Sequence, residues 1–413
     1  MHPPQTLWNR NFILWLLGSA GSQLGAALAS IALSFLVLHQ TGSAGRMAQT
    51  LALSLAPFVL MPFAGALVDR VNLKVPLIAA NVVRGLLQLT VGGLSLAWGE
   101  VPLWVVNGAA LLAGLATVFA QPASSAAVPG LVPGGELARA NGLLGSVNQG
   151  LWLLGTLAGG WVVSRWSPAL AILLDGVGFL AFAALLTGVR LPPRPAAGPG
   201  AGVLAEVRAG LRLMRRSKVL SFVPVIGFVL NAALAPVTVI LPKLMETLGT
   251  GARGYGVYLA LESAGMLLAG ALIAVLGRRL PPRTGTAAGF VVVTVAYAGM
   301  WWAPVFPALL ACALVLGFGI SLLNTPLTTL MQQLVPAAYL GRVFAVLGAA
   351  SSLGMPLALA AVSPLVDRLP VTLWFALCAG MMALGTLAWV AVVRAERGTA
   401  GPDVSPEVTS VPS

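Results

Sequence analysis

The chain has 413 residues, of which 58% are hydrophobic and only 8% are charged. Soluble domains usually carry about a quarter of charged residues, so this composition excludes a water-soluble globular protein and indicates one that folds in lipid. The net charge of +12 does not indicate a nucleic-acid-binding protein, because an excess of Lys and Arg is typical of the cytoplasmic loops of membrane proteins.

Apolar runs of about 18 residues or more recur along the chain and predict twelve transmembrane helices. The first run begins near Phe12, and we expect it to be retained because it is too long for a cleaved signal peptide and lacks a basic leader and a cleavage site. The predicted spans cover residues 12–38, 48–68, 75–97, 101–121, 140–163, 168–189, 220–242, 254–276, 285–303, 307–331, 343–366 and 371–393.

A proline- and glycine-rich stretch between spans six and seven divides the chain into two halves. We predict an N-terminal six-helix half over residues 1–190 and a C-terminal six-helix half over 220–394. The cytoplasmic linker between them, 191–219, has apolar and basic residues at helical spacing, which is typical of an amphipathic helix at the membrane surface. The tail, 395–413, is polar and is predicted to be a disordered cytoplasmic segment.

The distribution of basic residues predicts the orientation of the chain. An even number of spans places both termini on one side of the membrane. Seventeen of the 23 lysines and arginines fall on that side, five fall on the other, and Arg84 lies within a span. Because cytoplasmic loops are enriched in Lys and Arg, we expect a multi-pass protein of the cell membrane with both termini in the cytoplasm.

Two polar stretches repeat the same plan in the two halves. "GLVPGGELARAN" (130–141) and "QLVPAAYLGRVF" (333–344) align through "LVP" with an offset of 203 residues, which also places Arg139 on Arg342. Each copy follows the fourth span of its half and precedes the fifth. The repeat therefore predicts an all-α membrane protein made of two six-helix halves in the same orientation.

The loop "GALVDRVNLK" (65–74), between spans two and three, resembles the signature loop of the major facilitator superfamily. Gly65, Asp69, Arg70 and Lys74 match that signature, whereas Asn72 and Leu73 replace an expected glycine and arginine. The two repeated stretches resemble the branch of that superfamily that contains macrolide-efflux and siderophore-exporting proteins. The resemblance implies the major facilitator fold and a secondary transporter that works by alternating access.

Span five is similar to the antiporter motif of the superfamily's exporters. It carries Gly142 and then "GTLAGG" (155–160), with glycines at Gly155, Gly159 and Gly160 and with Thr156 in place of the usual proline. The similarity implies an exporter, although glycines at this spacing are equally suited to close helix packing.

The loop charges suggest a gate on the cytoplasmic side. Asp69 can bond the free N–H groups at the start of a neighbouring helix, and the resemblance suggests that this helix is span eleven, near Arg342. In the second half Arg278 and Arg279 replace the acid, while Glu136 precedes span five. We hypothesise that Asp69 meets the start of span eleven, and that Arg278 or Arg279 meets Glu136, with solvated loop charges as the alternative. The same gate would include Arg70, Lys74 and Arg139.

Three ionisable residues lie within predicted spans. Each costs about 2.5–3.5 kcal/mol on insertion scales, so each is expected to face protein or water. Asp175 in span six and Glu262 in span eight are candidate proton carriers, with Arg84 in span three as a neighbouring cation. The alternative is a structural hydrogen bond or an ion pair between helices.

Neutral polar residues within the spans could orient a substrate in a central cavity. The alternative is that each bonds a neighbouring helix, as polar residues in membranes commonly do. These candidates are Gln23, Asn107, Asn148, Gln149, Asn231 and Asn324.

Catalytic motifs are missing from the sequence. There is no GxxxxGK[ST] loop or GxSxG elbow, and the two histidines, His2 and His39, are too far apart in sequence to form HExxH, so we predict no enzyme, no metal site and no cofactor. We predict a proton-coupled exporter of a hydrophobic or weakly charged small molecule, similar to a drug, macrolide or siderophore. The expected partners are that substrate, protons and the lipid bilayer, with no nucleic acid, and we expect a monomer. The alternatives are an importer or uniporter of a small metabolite, and a non-transporting lipid-handling or scaffold protein.

Overall fold

The computed structural model describes residues 6–68, 71–191, 217–335 and 337–399, together with Arg212 and Met214. Every element of regular structure in these ranges is helical. The predicted linker 191–219 and tail 395–413 lie mostly outside the described residues.

The first half of the chain forms seven α-helices. They are α1 (Arg10–Thr41), α2 (Ala44–Leu55), α3 (Met61–Val68), α4 (Lys74–Trp98), α5 (Leu103–Ala127), α6 (Leu137–Arg165) and α7 (Pro168–Gly188). A 3₁₀ turn, Ala56–Leu60, joins α2 to α3, so that these two short helices together occupy the second predicted span. Pro57 lies in this turn, and it cannot donate the backbone hydrogen bond that a continuous α-helix needs.

The second half forms six long α-helices. They are α8 (Lys218–Thr247), α9 (Gly251–Leu276), α10 (Pro282–Trp302), α11 (Phe306–Leu334), α12 (Ala337–Val362) and α13 (Val371–Thr399). Each coincides with one of the predicted spans seven to twelve, and its ends differ from the predicted ends by at most six residues.

Nine helices in the described ranges are long and apolar enough to cross a membrane on their own: α1, α4, α5, α7, α8, α9, α10, α11 and α13. The other predicted spans coincide with α2 and α3 together, α6, and α12. The all-α membrane fold predicted from hydropathy is therefore confirmed, whereas the count of twelve spans stays a prediction.

Short polar side chains define where several helices begin. Asn9, Ser43, Ser167 and Ser217 each accept a hydrogen bond from a backbone N–H in the first turn of the helix that follows. These caps satisfy donors that have no partner within the helix. Gly42 has a left-handed φ of 62°, which allows α1 to turn sharply into α2.

The described residues of the two halves make close contacts at one side of the bundle. We call the side where α1 begins the near side and the side where it ends the far side. The helix pairs α6 and α9, α2 and α12, and α1 and α8 bring the halves together. Residues near the far end of these helices make the contacts: Gly160 of α6 packs on Gly256 of α9, and His39 pairs with Glu246 at 2.8 Å.

The last helix is longer than predicted. α13 continues to Thr399, past residue 395 where the disordered tail was expected to begin. The extra turn is held by Glu396, whose carboxylate accepts hydrogen bonds from the Ser217 hydroxyl (2.5 Å) and from the Arg283 guanidinium (3.1 Å). These bonds tie the near-side ends of α8, α10 and α13 together, and a sequence pattern within the tail cannot reveal them.

Candidate functional site

A cavity of about 620 Å³ lies within the N-terminal half. Helices α1, α2, α4, α5, α6 and α7 and the turn between α2 and α3 all contribute to its wall. Most of the wall is apolar and includes Phe58, Trp152 and Phe179. Its few polar side chains are Ser30, Ser54, Arg84, Gln88, Thr117, Gln121 and Asp175. This combination of volume, apolar wall and sparse polar groups is typical of small-molecule sites.

Asp175 is the acidic group of this cavity. It lies on α7 with only 1% of its surface exposed. One carboxylate oxygen, Oδ2, accepts a hydrogen bond of 2.7 Å from Nε2 of Gln88 on α4. The other, Oδ1, is buried without a hydrogen-bond partner. An unpaired buried oxygen is unfavourable for an ionised carboxylate, so this oxygen is suited to hold a proton or to accept a donor from a ligand.

Arg84 is directed to an aromatic ring near this acid. Its guanidinium carbon lies 3.7 Å from the centre of the Phe179 ring, which is a favourable cation–π geometry. Arg84 is close enough to Asp175 to interact electrostatically, but no ion pair joins these two described side chains. The guanidinium is therefore in direct contact with the ring, and the carboxylate acts on it only at longer range.

The two contacts are arranged as a ladder between antiparallel helices. Arg84 and Gln88 are four residues apart on α4, and Asp175 and Phe179 are four residues apart on α7, so each pair shares one helix face. Gln88 and Asp175 form the rung toward the far side, and Arg84 and Phe179 form the rung about 6 Å nearer the near side.

Glycines allow three helices to approach the carboxyl closely. A Cβ added at Gly25 of α1 would lie 2.8 Å from Oδ1 of Asp175 and 3.0 Å from its Cα. A Cβ at Gly85 of α4 would lie 3.0 Å from the carbonyl oxygen of Gly176 on α7. Small residues at these positions therefore determine how tightly α1, α4 and α7 enclose Asp175.

The second predicted acid lies in the other half. Glu262 is a partly buried residue of α9 and is not part of the wall of the N-terminal cavity. It is within electrostatic range of Tyr255, Tyr258 and Tyr297. The hydroxyls of Tyr258 and Tyr297 are buried without a hydrogen-bond partner. The structure thus places Asp175 beside Arg84, as the sequence suggested, but it does not bring Asp175 and Glu262 together.

None of the six neutral polar candidates contributes to the wall of this cavity. Asn107 accepts a hydrogen bond of 2.7 Å from Thr50 and so links α5 to α2. Asn231 donates to Gly227 within its own helix. The Oδ1 atom of Asn148 is buried without a partner, and Asn324 is exposed. Gln23 and Gln149 are both partly buried.

Gln88 and Gln121 line the cavity instead, although neither was among the residues predicted from the sequence. The signal for Gln88 was available in "NVVRGLLQ", where it lies one helical turn after the intramembrane Arg84 and therefore on the same face.

The structure describes only part of the predicted near-side gate. Asp69 and Arg70 lie outside the described residues, and the side chains of Arg278 and Arg342 are likewise not described. No atom of the described residues lies within 4 Å of the Cβ that would be added at Gly65.

The remaining gate candidates are described. Lys74 donates a hydrogen bond of 2.7 Å to the carbonyl oxygen of Thr187 at the end of α7. Glu136 lies 3.4 Å from the guanidinium of Arg139 in the following turn, and Arg279 is exposed. The gate, in which Asp69 meets the start of span eleven and Arg278 or Arg279 meets Glu136, therefore stays a prediction.

The glycines of α6 contact different helices. A Cβ at Gly155 would lie 2.6 Å from Ala27 Cβ, and one at Gly159 would lie 3.0 Å from Leu28 Cα, both on α1 in the same half. A Cβ at Gly160 would lie 2.7 Å from the carbonyl oxygen of Ala252 on α9, in the other half, whereas Gly142 has no neighbour within 4 Å. Only Gly160 of this group therefore acts at the interface between the halves.

Comparison with known proteins gives relatives of similar length. The chain is 24% identical over 383 residues to macrolide efflux protein A of Streptococcus pyogenes, covering 90% of this chain and 93% of that protein. It is 27% identical over 395 residues to the multidrug efflux pump Tap of Mycolicibacterium fortuitum, covering 91% and 94%.

Solved structures share the fold. The nucleoside transporter NupG superposes with a TM-score of 0.76 at 10% identity, covering 94% of this chain and 99% of that chain. A bacterial homologue of the human lysosomal transporter Spinster, in an inward-facing and unoccupied conformation, superposes with a TM-score of 0.71 at 11% identity, covering 96% and 98%.

The family model of the Major Facilitator Superfamily matches residues 15–359 and, in a second match, 225–409. The two matches together span nearly the whole chain, and they agree with the helical membrane fold and with the signature loop that the sequence resembles. The chain therefore belongs to the major facilitator superfamily of membrane transporters.

Proposed function

We propose that this transporter exports a hydrophobic or weakly charged small molecule across the cell membrane in exchange for protons. In this proposal the near side faces the cytoplasm, as the excess of basic residues there suggests. The relatives named as macrolide and multidrug efflux proteins support export of a drug-like compound. The close contacts that the described residues of the two halves make near the far side support alternating access, because such contacts close that side to a substrate.

The observation that carries the proposal is the environment of Asp175. A carboxyl that is 1% exposed, lines a cavity and has one oxygen without a partner can exist in two forms there. The protonated form needs no counter-charge. The ionised form needs one, since a buried unpaired charge is strongly unfavourable.

Arg84 is placed to supply that counter-charge. In the observed arrangement it lies over the Phe179 ring, about one helical turn from the carboxyl. In the proposed cycle, loss of the Asp175 proton draws the guanidinium from the ring to Oδ1, and proton uptake releases it. The wall of the cavity then differs between the two forms in charge and shape, which is how proton binding would alter substrate affinity. The apolar remainder of the wall suits a cargo with few charges.

The test uses proteoliposomes with an acidic interior and the membrane potential held at zero. A permanently charged lipophilic cation such as ethidium serves as a probe that pH alone cannot trap, and a macrolide serves as a second probe. For electroneutral exchange of one proton, a difference of one pH unit supports about tenfold accumulation. We expect this accumulation with the unmodified chain and its loss in Asp175→Asn, which keeps downhill flux because the cavity is preserved.

Glu100→Gln is the matched control, because Glu100 is an exposed acid in the far-side connection between α4 and α5. Unchanged accumulation in Asp175→Asn would refute Asp175 as the proton carrier and would leave Glu262 as the next candidate. Downhill flux that ignores the pH gradient in the unmodified chain would favour a uniporter. No flux of any probe would contradict export of drug-like compounds.

A further inference from the structure

The tetrapeptide "LVDR" occurs twice in this chain, at residues 67–70 and 365–368. The first copy ends the second predicted span on the near side, and its acid, Asp69, belongs to the signature loop. The second copy follows the far-side end of α12, and its acid is Asp367. The offset between these copies differs from that of the two-half repeat, so the second copy is not explained by that repeat.

Asp367 caps the start of α2 across the interface between the halves. Its Oδ1 atom accepts a hydrogen bond of 3.0 Å from the backbone N–H of Ala44, and its Oδ2 atom accepts one of 3.0 Å from the N–H of Gly45. The hydroxyl of Ser43 also donates to Oδ2, at 2.5 Å. A carboxylate on the first turn of a helix meets free N–H donors and the positive end of the helix dipole.

Two further contacts strengthen this junction. The ammonium group of Lys243, near the far end of α8, lies 2.5 Å from Oδ1 of Asp367. The Ser363 hydroxyl donates a hydrogen bond of 2.9 Å to the carbonyl oxygen of Gly45. Only glycine fits at position 45, because the Cβ of any other residue would overlap the Ser363 backbone. Helices α2, α8 and α12 therefore meet around one carboxylate.

The bonds also determine the charge state of Asp367. Burial alone would raise the pKa of this carboxyl, but the hydrogen bonds from Lys243, Ser43 and the N–H groups of Gly45 and Ala44 lower the pKa to about 2. The group is therefore ionised throughout the physiological range.

We propose that Asp367 is a far-side latch that holds α2 against α12 whenever the far side is closed. The bonds from Ser43, Ala44 and Gly45 cross between the halves, so they must break when the far side opens. Lys243 lies in the same half as Asp367 and holds the carboxylate in position. Asp69 is predicted to cap the start of span eleven at the near side, and Asp367 caps the start of α2 at the far side. Spans two and eleven would thus each carry one "LVDR" copy at the end of the span, and the acid of each copy would cap the start of the other span. One cap would close the near side and the other would close the far side.

The latch depends on the alternating-access part of the proposed function and not on proton coupling or on the substrate. It is tested by measuring the distance between spin labels at the far side, in a chain whose two native cysteines are replaced by alanine. Cysteines for labelling replace Trp104 and Trp302, which are 76% and 86% exposed on opposite halves. A second label pair, at Val75 and Val275 near the near side, is 63% and 82% exposed and reports on that side.

We expect Asp367→Asn to raise the ratio of far-side-open to far-side-closed molecules about tenfold, as expected for weakening a charge-assisted hydrogen-bond cluster. Lys243→Gln and Ser43→Ala each remove one partner, should shift the ratio in the same direction by less, and carry the test if Asp367→Asn does not fold. Glu100→Gln is the control for loss of a far-side acid that forms no ion pair or hydrogen bond with the described residues.

An Asp367→Asn distribution that matches Glu100→Gln, with Lys243→Gln also unchanged, would overturn the latch. A different result would count against the proposed function itself: if far-side opening is never accompanied by a shorter near-side distance, the two sides are not coupled and alternating access fails. Opening of the far side in Asp367→Asn together with closing of the near side supports both.

Discussion

Gly160 on α6 is the one position in the antiporter-like motif where a single methyl group would act between the two halves. The Cβ of Gly160→Ala would lie 2.7 Å from the carbonyl oxygen of Ala252, 3.0 Å from Gly256 Cα and 3.3 Å from Arg253 Cα. All three atoms belong to the backbone of α9, so no side-chain rotation can relieve the overlap. The helices must separate instead, and they separate where the far side is closed.

The size of the effect follows from this geometry. Inserting a methyl group into a well-packed contact typically costs about 1–3 kcal/mol. Only the far-side-closed conformation contains the contact, so the cost applies to that conformation and raises the open-to-closed ratio about 5–150-fold. The assay is the distance between labels at positions 104 and 302, as described for Asp367.

Two alanine variants of the same helix serve as comparisons. The Cβ added in Gly142→Ala would have no described atom within 4 Å, so this variant should leave the open-to-closed ratio unchanged. In Gly159→Ala the Cβ would lie 3.0 Å from Leu28 Cα within the same half, so it should lower the thermal stability without favouring either conformation. If Gly160→Ala leaves the ratio at the level of Gly142→Ala, or if Gly159→Ala shifts it equally, the assignment of Gly160 to the interface is refuted.

Two further predictions concern the carboxylates. Gly25→Ala would place a Cβ 2.8 Å from Oδ1 of Asp175, so the free energy of unfolding should decrease by about 1–3 kcal/mol. The measurement is the melting temperature, which should fall. Gly21→Ala on the same helix, with no neighbour within 4 Å, is its control, and equal melting temperatures would contradict the close packing. The effect of Asp367→Asn on the far-side ratio should be equal at about pH 5 and about pH 8, because a depressed pKa keeps the stabilising charge fully present above the ordinary value of 3.8 and loses it only as pH falls toward about 2. An effect at about pH 5 that is much smaller than at about pH 8 would show that another group controls the latch.

Most of the helical architecture could be predicted from residue types alone. Prolines and short polar caps define several helix ends, and the apolar runs coincide with the helices to within a few residues. The resemblance of 65–74 to the superfamily signature was confirmed by the family match. These features are local, because the free energy of placing a segment in lipid is approximately a sum over its own residues.

Side-chain partners were less predictable. Asn107 was a candidate for the cavity, but it bonds Thr50 and links two helices. Gln88 was overlooked because a neutral amide within a span has many possible roles, and only the packing of α4 on α7 brings it to Asp175. The choice among such roles depends on which helix faces which, and that information is spread over residues far apart in the chain.

The sequence by itself determined the membrane environment and the family, and it predicted the two-half organisation and the acids that could carry function. Only the tertiary structure decided that Asp175 has one free oxygen, that Arg84 lies on Phe179, and that the far-side "LVDR" caps α2. The physical reason is that hydropathy acts segment by segment, whereas a hydrogen bond forms only where packing brings two atoms within about 3 Å. Asp367, 323 residues from Ala44 along the chain, illustrates the difference.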